Sequence, residues 1–280
     1  MGEKNTKNRK SRSCGNPRAL NGRGNPKVTG ILPVALKKAT KAIRALIHAG
    51  KEYICVMRLH REVDEDKIRK VCEEFIGPIY QRPPLKSSVK RIVRIRTIYY
   101  IEVLEISGKD VLIRVGCQAG TYIRKLCHDI GIVLGIGAHM QELRRTRSGP
   151  LKEDETLVTL YDLQDAYETW IEEKDETLLR KTILPVEKAI QHLPKIIIRD
   201  SAVDAICHGA DLAAPGVLRL ETGIRRGSLI AIMTQKGELV ALAKAKMTSN
   251  EILEAEKGIV AKTERVIMDR GTYPKTWGKT

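Results

Sequence analysis

The sequence predicts an α+β protein in two parts, a mixed/antiparallel sheet carrying helices and then a small β-barrel. Three observations predict it. Helix-period segments alternate with paired strands rather than single ones, which disfavours a doubly wound parallel sheet. From residue 195 onward, short β-rich runs are broken by Gly or Pro every ~10 residues, the rhythm of a small barrel. A chain of 280 residues with 42% hydrophobic content is long and apolar enough for a full core in two domains.

The elements follow in order. Residues 1–24 hold seven Lys/Arg against one Glu among Gly, Asn and Ser. They cannot bury apolar surface and are expected to form a basic, flexible N-terminal segment. From Pro33, residues Leu36, Ala39, Ile43, Leu46 and Ile47 recur at helical spacing, with Gly50 as the stop. KEYICVMRLH (51–60) reads as a strand, and residues 64–76 as a second helix with Ile68, Val71, Cys72 and Phe75 on one face. RTIYYIEVLEI and VLIRVGC flank SGKD, which makes 96–117 a hairpin. GTYIRKLCHDIGIVLG starts a third helix, capped by Thr121, with Ile123, Leu126, Ile130 and Val133 facing inward. Residues 161–179 carry seven acids and one Lys at helical spacing. The runs KIIIRD, GVLRL, SLIAIMT and ELVALAKAKM then build the barrel. The expected units are 1–24, 25–185 and 195–270, with the boundary near 185–195.

Charge narrows the function classes. Fifty Lys/Arg against 34 Asp/Glu leave a net charge of +16, a field that favours polyanions, nucleic acid first among them. The alternative is a ribosome-like or merely soluble basic protein. Six cysteines without a C-x-x-C pair sit mostly in apolar runs. They read as buried free thiols in a reducing compartment rather than disulfides or a zinc site. No run reaches ~18 apolar residues, so no membrane span is expected, and no signal peptide is visible. The six His form no metal or triad pattern, and no Gly-rich phosphate loop follows a strand.

Three stretches carry chemistry. KSSVKRIVRIR (86–96) has five basic residues and no acid. As a strand it presents Lys86, Lys90 and their neighbours, with Arg91, either to RNA or simply to water as a protected edge. ELRRTRSG (142–149) holds Arg144, Arg145 and Arg147, residues whose forks suit phosphate. Gly120-Thr121-Tyr122-Ile123-Arg124 places an aromatic and a cation at a strand-to-helix turn, a position that serves structure as often as function.

These stretches stand in one order. Asn25-Pro26-Lys27-Val28-Thr29-Gly30, Gly50-Lys51-Glu52-Tyr53, Gln81-Arg82-Pro83-Pro84, Gly120 to Arg124, and Gly137-Ala138-His139-Met140 leading to Leu143-Arg144-Arg145-Thr146-Arg147-Ser148-Gly149 follow at compatible spacing. The chain thus resembles the pseudouridine synthases that include the bacterial tRNA T-loop enzyme, and most closely the archaeal dyskerin-type members. Its later part, with His208 to Leu212, Pro215-Gly216 and Arg225-Arg226-Gly227, is similar to the PUA RNA-binding module. The resemblance covers roughly residues 25–277.

The resemblance implies isomerisation of uridine to pseudouridine without a cofactor, in the T-loop of tRNA or, through H/ACA-type guide RNA, in rRNA. A flipped-out uridine must be stacked, held and attacked. The family match makes Tyr53 the stacking ring, Tyr122 the handler of the carbon-bound proton, Arg124 the partner of the nucleophilic carboxylate and Leu143 an apolar wall. Lys51, Lys86, Lys90, Arg91, Arg144, Arg145, Arg147, Arg225 and Arg226 are the expected RNA contacts. Implied protein partners are a small zinc-ribbon protein, a glycine/arginine-type protein and a kink-turn-binding protein. The implied location is the cytoplasm of an archaeon, or the nucleolus of a eukaryote.

One position departs from the pattern. The family motif Gly-Thr-Leu-Asp-Pro appears here as Gly22-Arg23-Gly24-Asn25-Pro26, so the nucleophile position carries an amide. The Lys-Pro-x-Gly-x-Thr-Ser strand that family members place upstream has no counterpart in 1–24, and one core strand and a helix are expected to be missing. Three readings stay open: a guide-type synthase impaired at its nucleophile, a non-catalytic RNA-binding scaffold, and a PUA-type binder with an unrelated first domain.

Overall fold

Alternation decides which side of β2 (Lys51–Leu59) is inside: Cys55, Met57 and Leu59 are buried, while Arg58 between them is exposed. The computed structural model describes residues 28–83, 90 and 92–275. Around β2 stand β1 (Val28–Gly30), β3 (Gly77–Gln81), β4 (Arg94–Ser107), β5 (Asp110–Cys117), β6 (Ala138–Ser148) and the short β7 (Leu151–Lys152). The sheet runs β1-β6-β2-β5-β4-β3, with β7 on β6. The β1–β6 pair is parallel and the others are antiparallel. The hairpin expected over 96–117 is the β4–β5 pair.

Two amphipathic helices cover one face. In α2 (Glu65–Glu74), Asp64 caps the first turn by accepting from the Asp66 and Lys67 amides, and Ile68, Val71 and Cys72 are buried. In α3 (Ile123–Val133), Ile123, Leu126, Cys127 and Ile130 face inward. Together with Cys55, Met57, Leu59, Val111, Ile113, Val115 and Cys117 they form the first core. Gly131 lets α3 approach closely, since a Cβ there would lie 2.1 Å from the Ala138 amide nitrogen. Cys55, Cys72, Cys117, Cys127 and Cys207 are buried free thiols, as their apolar surroundings suggested; Cys14 lies outside the described residues.

Local readings differ at three places. The stretch after Pro33 is not one helix: a 3₁₀ turn (Lys37–Lys41) precedes a six-residue α1 (Ile43–His48). The buried stripe is Ala42, Ala45, Leu46 and Ala49, whereas Leu36 and Ile47 are exposed. Small residues face inward because this helix packs close against the second half of the chain. Thr121 does not cap α3; its hydroxyl donates to the Gln118 carbonyl at 2.7 Å, and Val133 is exposed at the last turn. Of the basic run 86–96, only Lys90 and residues 92–96 are described, and the strand begins at Arg94.

The acidic stretch forms α4 (Leu160–Glu173) and α5 (Thr177–Thr182). A capping box between Thr159 and Asp162 starts α4, and Lys174 ends it in the left-handed region. Beyond lie β8 (Lys195–Ile198), α6 (Asp200–Cys207), β9 (Leu212–Ala213), β10 (Val217–Leu220), β11 (Leu229–Met233), β12 (Leu239–Ala245), α7 (Ser249–Glu254) and β13 (Ile259–Val266). Their barrel-like sheet runs β10-β8-β11-β12-β13-β9 around Ile196, Ile198, Ile230, Ile232, Val240 and Val260. A third cluster joins the two halves: Ala42 and Ala45 pack with Ile190, Leu193, Ala231, Met233, Leu239, Leu242 and Ile267.

Candidate active site

Register brings the expected residues to one end of the first sheet. Tyr53 lies opposite Arg145, and Cys55 opposite Leu143, across the β2–β6 pair. On the far side of β6, Gly30 of β1 lies opposite Arg145 and Val28 opposite Leu143. Lys51 lies opposite Cys117, and the chain leaving Cys117 turns through Gln118–Tyr122 into α3. Tyr53, Leu143, the Tyr122 turn and the strand that follows position 25 therefore share one end of the sheet. Asn25 itself lies outside the described residues.

Each side chain has a definite setting. Tyr53 and Leu143 are half-buried against the first core. Burial pushes the Tyr53 phenol above the ordinary tyrosine pKa, opposed by a hydrogen bond from Arg145. Arg145 also donates from Nε (2.9 Å) and Nη2 (2.7 Å) to the Ile31 carbonyl, so one guanidinium joins Tyr53 to the end of β1. Gly30 permits this approach: its φ is +93°, and a Cβ would lie 2.2 Å from the Arg145 carbonyl oxygen. Arg124 is exposed in the first turn of α3 and forms no salt bridge among the described residues.

Lys51 works as a cap. Its ammonium donates to the carbonyls of Leu46 (2.7 Å) and Ala49 (2.8 Å), and His192 Nε2 donates to that of Ala45 (3.1 Å). These carbonyls at the end of α1 have no partner within so short a helix. Burial, then the charge of Arg145, brings the Lys51 pKa down to about 8.

The other expected RNA contacts divide. Arg144 is held bidentate by Glu153. Arg147 lies opposite Glu52 and donates to the Tyr100 hydroxyl at 3.4 Å. The Tyr100 hydroxyl donates to Glu52, which also accepts from Thr146 at 2.7 Å. Arg226 is paired with Glu251, while Arg225 and Lys90 are exposed. Lys86 and Arg91 lie outside the described residues.

Gln81 was visible in the sequence only as part of a motif, yet it is the buried polar side chain beside the turn, 1% exposed. Its Oε1 accepts from the Tyr122 amide at 2.9 Å, and its Nε2 donates to the Tyr122 carbonyl at 3.2 Å. The available signal was a lone Gln ending a strand just before Arg-Pro-Pro. A hollow of about 410 Å³ beside α3 is lined by Glu74, Phe75, Ile79, Tyr80, Lys125, Asp129 and Val133 and includes none of the expected residues.

Comparison with known proteins gives the family of the fold that carries these residues. Residues 20–123 match the TruB family pseudouridylate synthase N-terminal domain, 124–191 the tRNA pseudouridylate synthase B C-terminal domain and 194–267 the PUA domain. The chain is 63% identical over 254 residues to the probable tRNA pseudouridine synthase B of Methanosarcina barkeri, covering 91% of this chain and 75% of that protein. The corresponding Pyrococcus furiosus protein is also 63% identical over 254 residues, with the same coverage. Among solved structures, a Cbf5–Nop10–Gar1 complex superposes with a TM-score of 0.87 at 62% identity, over 90% of this chain and 76% of that one. An H/ACA ribonucleoprotein bound to a substrate RNA containing 2'-deoxyuridine gives 0.84 at 60% identity, over 90% and 77%. With TruB and PUA family models matching residues 20–191 and 194–267 and relatives 63% identical along nine-tenths of its length, the chain belongs to the TruB family of pseudouridine synthases.

Proposed function

We propose that this chain binds structured RNA through a pseudouridine synthase pocket and that, with Asn25 at the nucleophile position, it does not isomerise the uridine it receives. The observation that carries the reading is the gathering of Tyr53, Leu143 and the Tyr122–Arg124 turn at one sheet end, beside the strand that follows position 25. In this reading Tyr53 stacks on the flipped base, Leu143 walls the pocket, and Tyr122 faces the carbon-bound proton. Arg124 is left without the carboxylate it would hold ionised. A carboxamide has nearly the shape of a carboxylate but no charge, and it is a very poor nucleophile.

The likeness to a Cbf5–Nop10–Gar1 complex and to an H/ACA ribonucleoprotein bound to substrate RNA supports a place in a guide ribonucleoprotein; the relatives named for tRNA support tRNA as a second substrate, in which the T-loop uridine is the target we propose. The archaeal relatives favour a cytoplasmic location. We assign residues 25–185 to the pocket-bearing unit and 195–270 to the PUA unit, with the basic 1–24 preceding both. Arg225 and Lys90, both exposed, are the first candidates for phosphate contact; Arg144 and Arg226 must leave Glu153 and Glu251 to take part.

Filter-binding titration with an H/ACA-type guide RNA tests the binding half. The charge of +16 predicts log affinity falling linearly with log salt, by roughly 0.9 per neutralised phosphate for duplex. Affinity that stays flat from low to moderate salt contradicts it.

A further inference from the structure

We propose that Gln81 is a positioning residue of this pocket: its side-chain amide, paired with the backbone of Tyr122, sets how Tyr122 and Arg124 meet the bound nucleotide. The proposal rests on the function proposed above for the pocket.

The geometry is that of a side chain standing in for a peptide. Gln81 ends the edge strand β3, and its amide is buried. Accepting from the Tyr122 amide at 2.9 Å and donating to the Tyr122 carbonyl at 3.2 Å, it forms a two-bond pair with a single residue. Such a pair fixes both faces of that residue's peptide units at once, which one bond does not. Tyr122 needs the support. It is the junction between strand and helix, at φ −97° and ψ 99°, with no side-chain cap of its own. Its carbonyl also accepts from the Leu126 amide at 3.0 Å, so the first turn of α3 starts from this residue.

The preceding loop is held separately. The Gln118 amide donates to the Thr97 carbonyl at 2.8 Å, the Gln118 side chain accepts from the Thr97 amide at 3.2 Å, and Thr121 donates to the Gln118 carbonyl. Losing the Gln81 pair therefore removes two bonds to the Tyr122 backbone, at the start of the turn carrying Arg124, while the loop stays attached to β4. With the Tyr122 carbonyl still accepting from Leu126, the group that loses its Gln81 partner is the Tyr122 amide donor, and that loss would draw in water or tilt the helix start.

Gln81→Glu gives the decisive test. A protonated carboxyl offers one donor and one acceptor, as the amide does; a carboxylate cannot donate and sets a charge against the Tyr122 carbonyl. The charged groups on the neighbouring elements are Arg94, opposite Gln81 on β4, Arg96 on the same strand, and on α3 Arg124, Lys125 and the Asp129 paired to Lys125. In the Asn25→Asp chain, adding Gln81→Glu is expected to lower single-turnover kcat by roughly 10-fold on the alkaline side, the equivalent of one lost hydrogen bond. Activity recovers on the acid side, through an inflection absent from Asn25→Asp alone, with RNA affinity unchanged. Gln81→Leu is expected to lose activity with no added inflection. Equal profiles for all three chains, or a loss that appears only in RNA affinity, overturn the proposal.

A second reading needs no turnover. In the ¹⁵N-tyrosine spectrum of the Gln81→Glu chain, assigned with Tyr122→Phe, the Tyr122 amide is expected to titrate with the introduced carboxyl. A Tyr122 amide that ignores the substitution overturns the pairing. Inactivity of the Asn25→Asp chain would count against the proposed function, while the Tyr122 amide would still support or overturn the role of Gln81.

Discussion

A bulge of one residue separates three arginines that stand within four positions of one another. Strand alternation alone puts Arg145 and Arg147 on one face. The register shift opposite Glu52 and Tyr53 leaves Thr146 between them and sends Arg145 to Tyr53 and Arg147 to Glu52. The arginine cluster was legible in the sequence; its division between pocket, network and Glu153 was not, because nothing local marks the shift. Lys51 shows the same limit. Its place beside Tyr53 was plain, but its service to the end of α1 depends on carbonyls brought by folding. Its lowered pKa carries a signed consequence. Between about 8 and the unfolded value of 10.5, the unfolded chain binds more protons, so this group makes stability rise with pH across that window. Urea melts of parent and Lys51→Met at both ends of the window are expected to show a smaller rise in the variant. An equal or larger rise in the variant contradicts the assignment.

Helices whose apolar period is carried by large residues were readable, as Ile68, Val71 and Cys72 in α2 and Leu126 and Ile130 in α3 illustrate. Helix α1 was misjudged because its packed stripe is Ala42, Ala45, Leu46 and Ala49, and alanine looks the same on either face. The short reach of alanine lets α1 sit against the Ile190–Leu193 segment and β11–β12. Close approach also governs α3. Helix propensity alone favours Gly131→Ala by ~1 kcal/mol. The 2.1 Å approach of its Cβ to the Ala138 nitrogen reverses the sign, because backbone cannot move aside as a flexible side chain can. Overpacking costs ~1–3 kcal/mol, so after the propensity gain a net loss of about 1 kcal/mol is expected in chemical denaturation. A gain would show that α3 and β6 have room to part.

At the scale of the molecule, a small barrel was legible in the rhythm of its short strands and its PUA character in the motifs from His208 to Gly227, yet its seam with the first half was not. Ala231, Met233, Leu239 and Leu242 lie under Ala42, Ala45, Ile190 and Leu193, so a fragment of residues 195–275 uncovers one wall of its barrel. It is expected to fold but to melt below the whole chain; a midpoint equal to that of the whole chain contradicts a stabilising seam. The proposed pocket is also assembled at this scale, from β1, β2, β6 and the turn before α3, while the amide at position 25 was visible in the sequence from the start. The most direct test is single-turnover tritium release from RNA carrying tritiated uridine, with parent and Asn25→Asp side by side. The parent is expected to stay at background and the Asp variant to exceed it by roughly a thousandfold or more, since a restored nucleophile reopens the covalent route. Equal release from both chains would remove Asn25 from the nucleophile position, and background release from both, with RNA bound, would contradict a pocket complete in all but that residue.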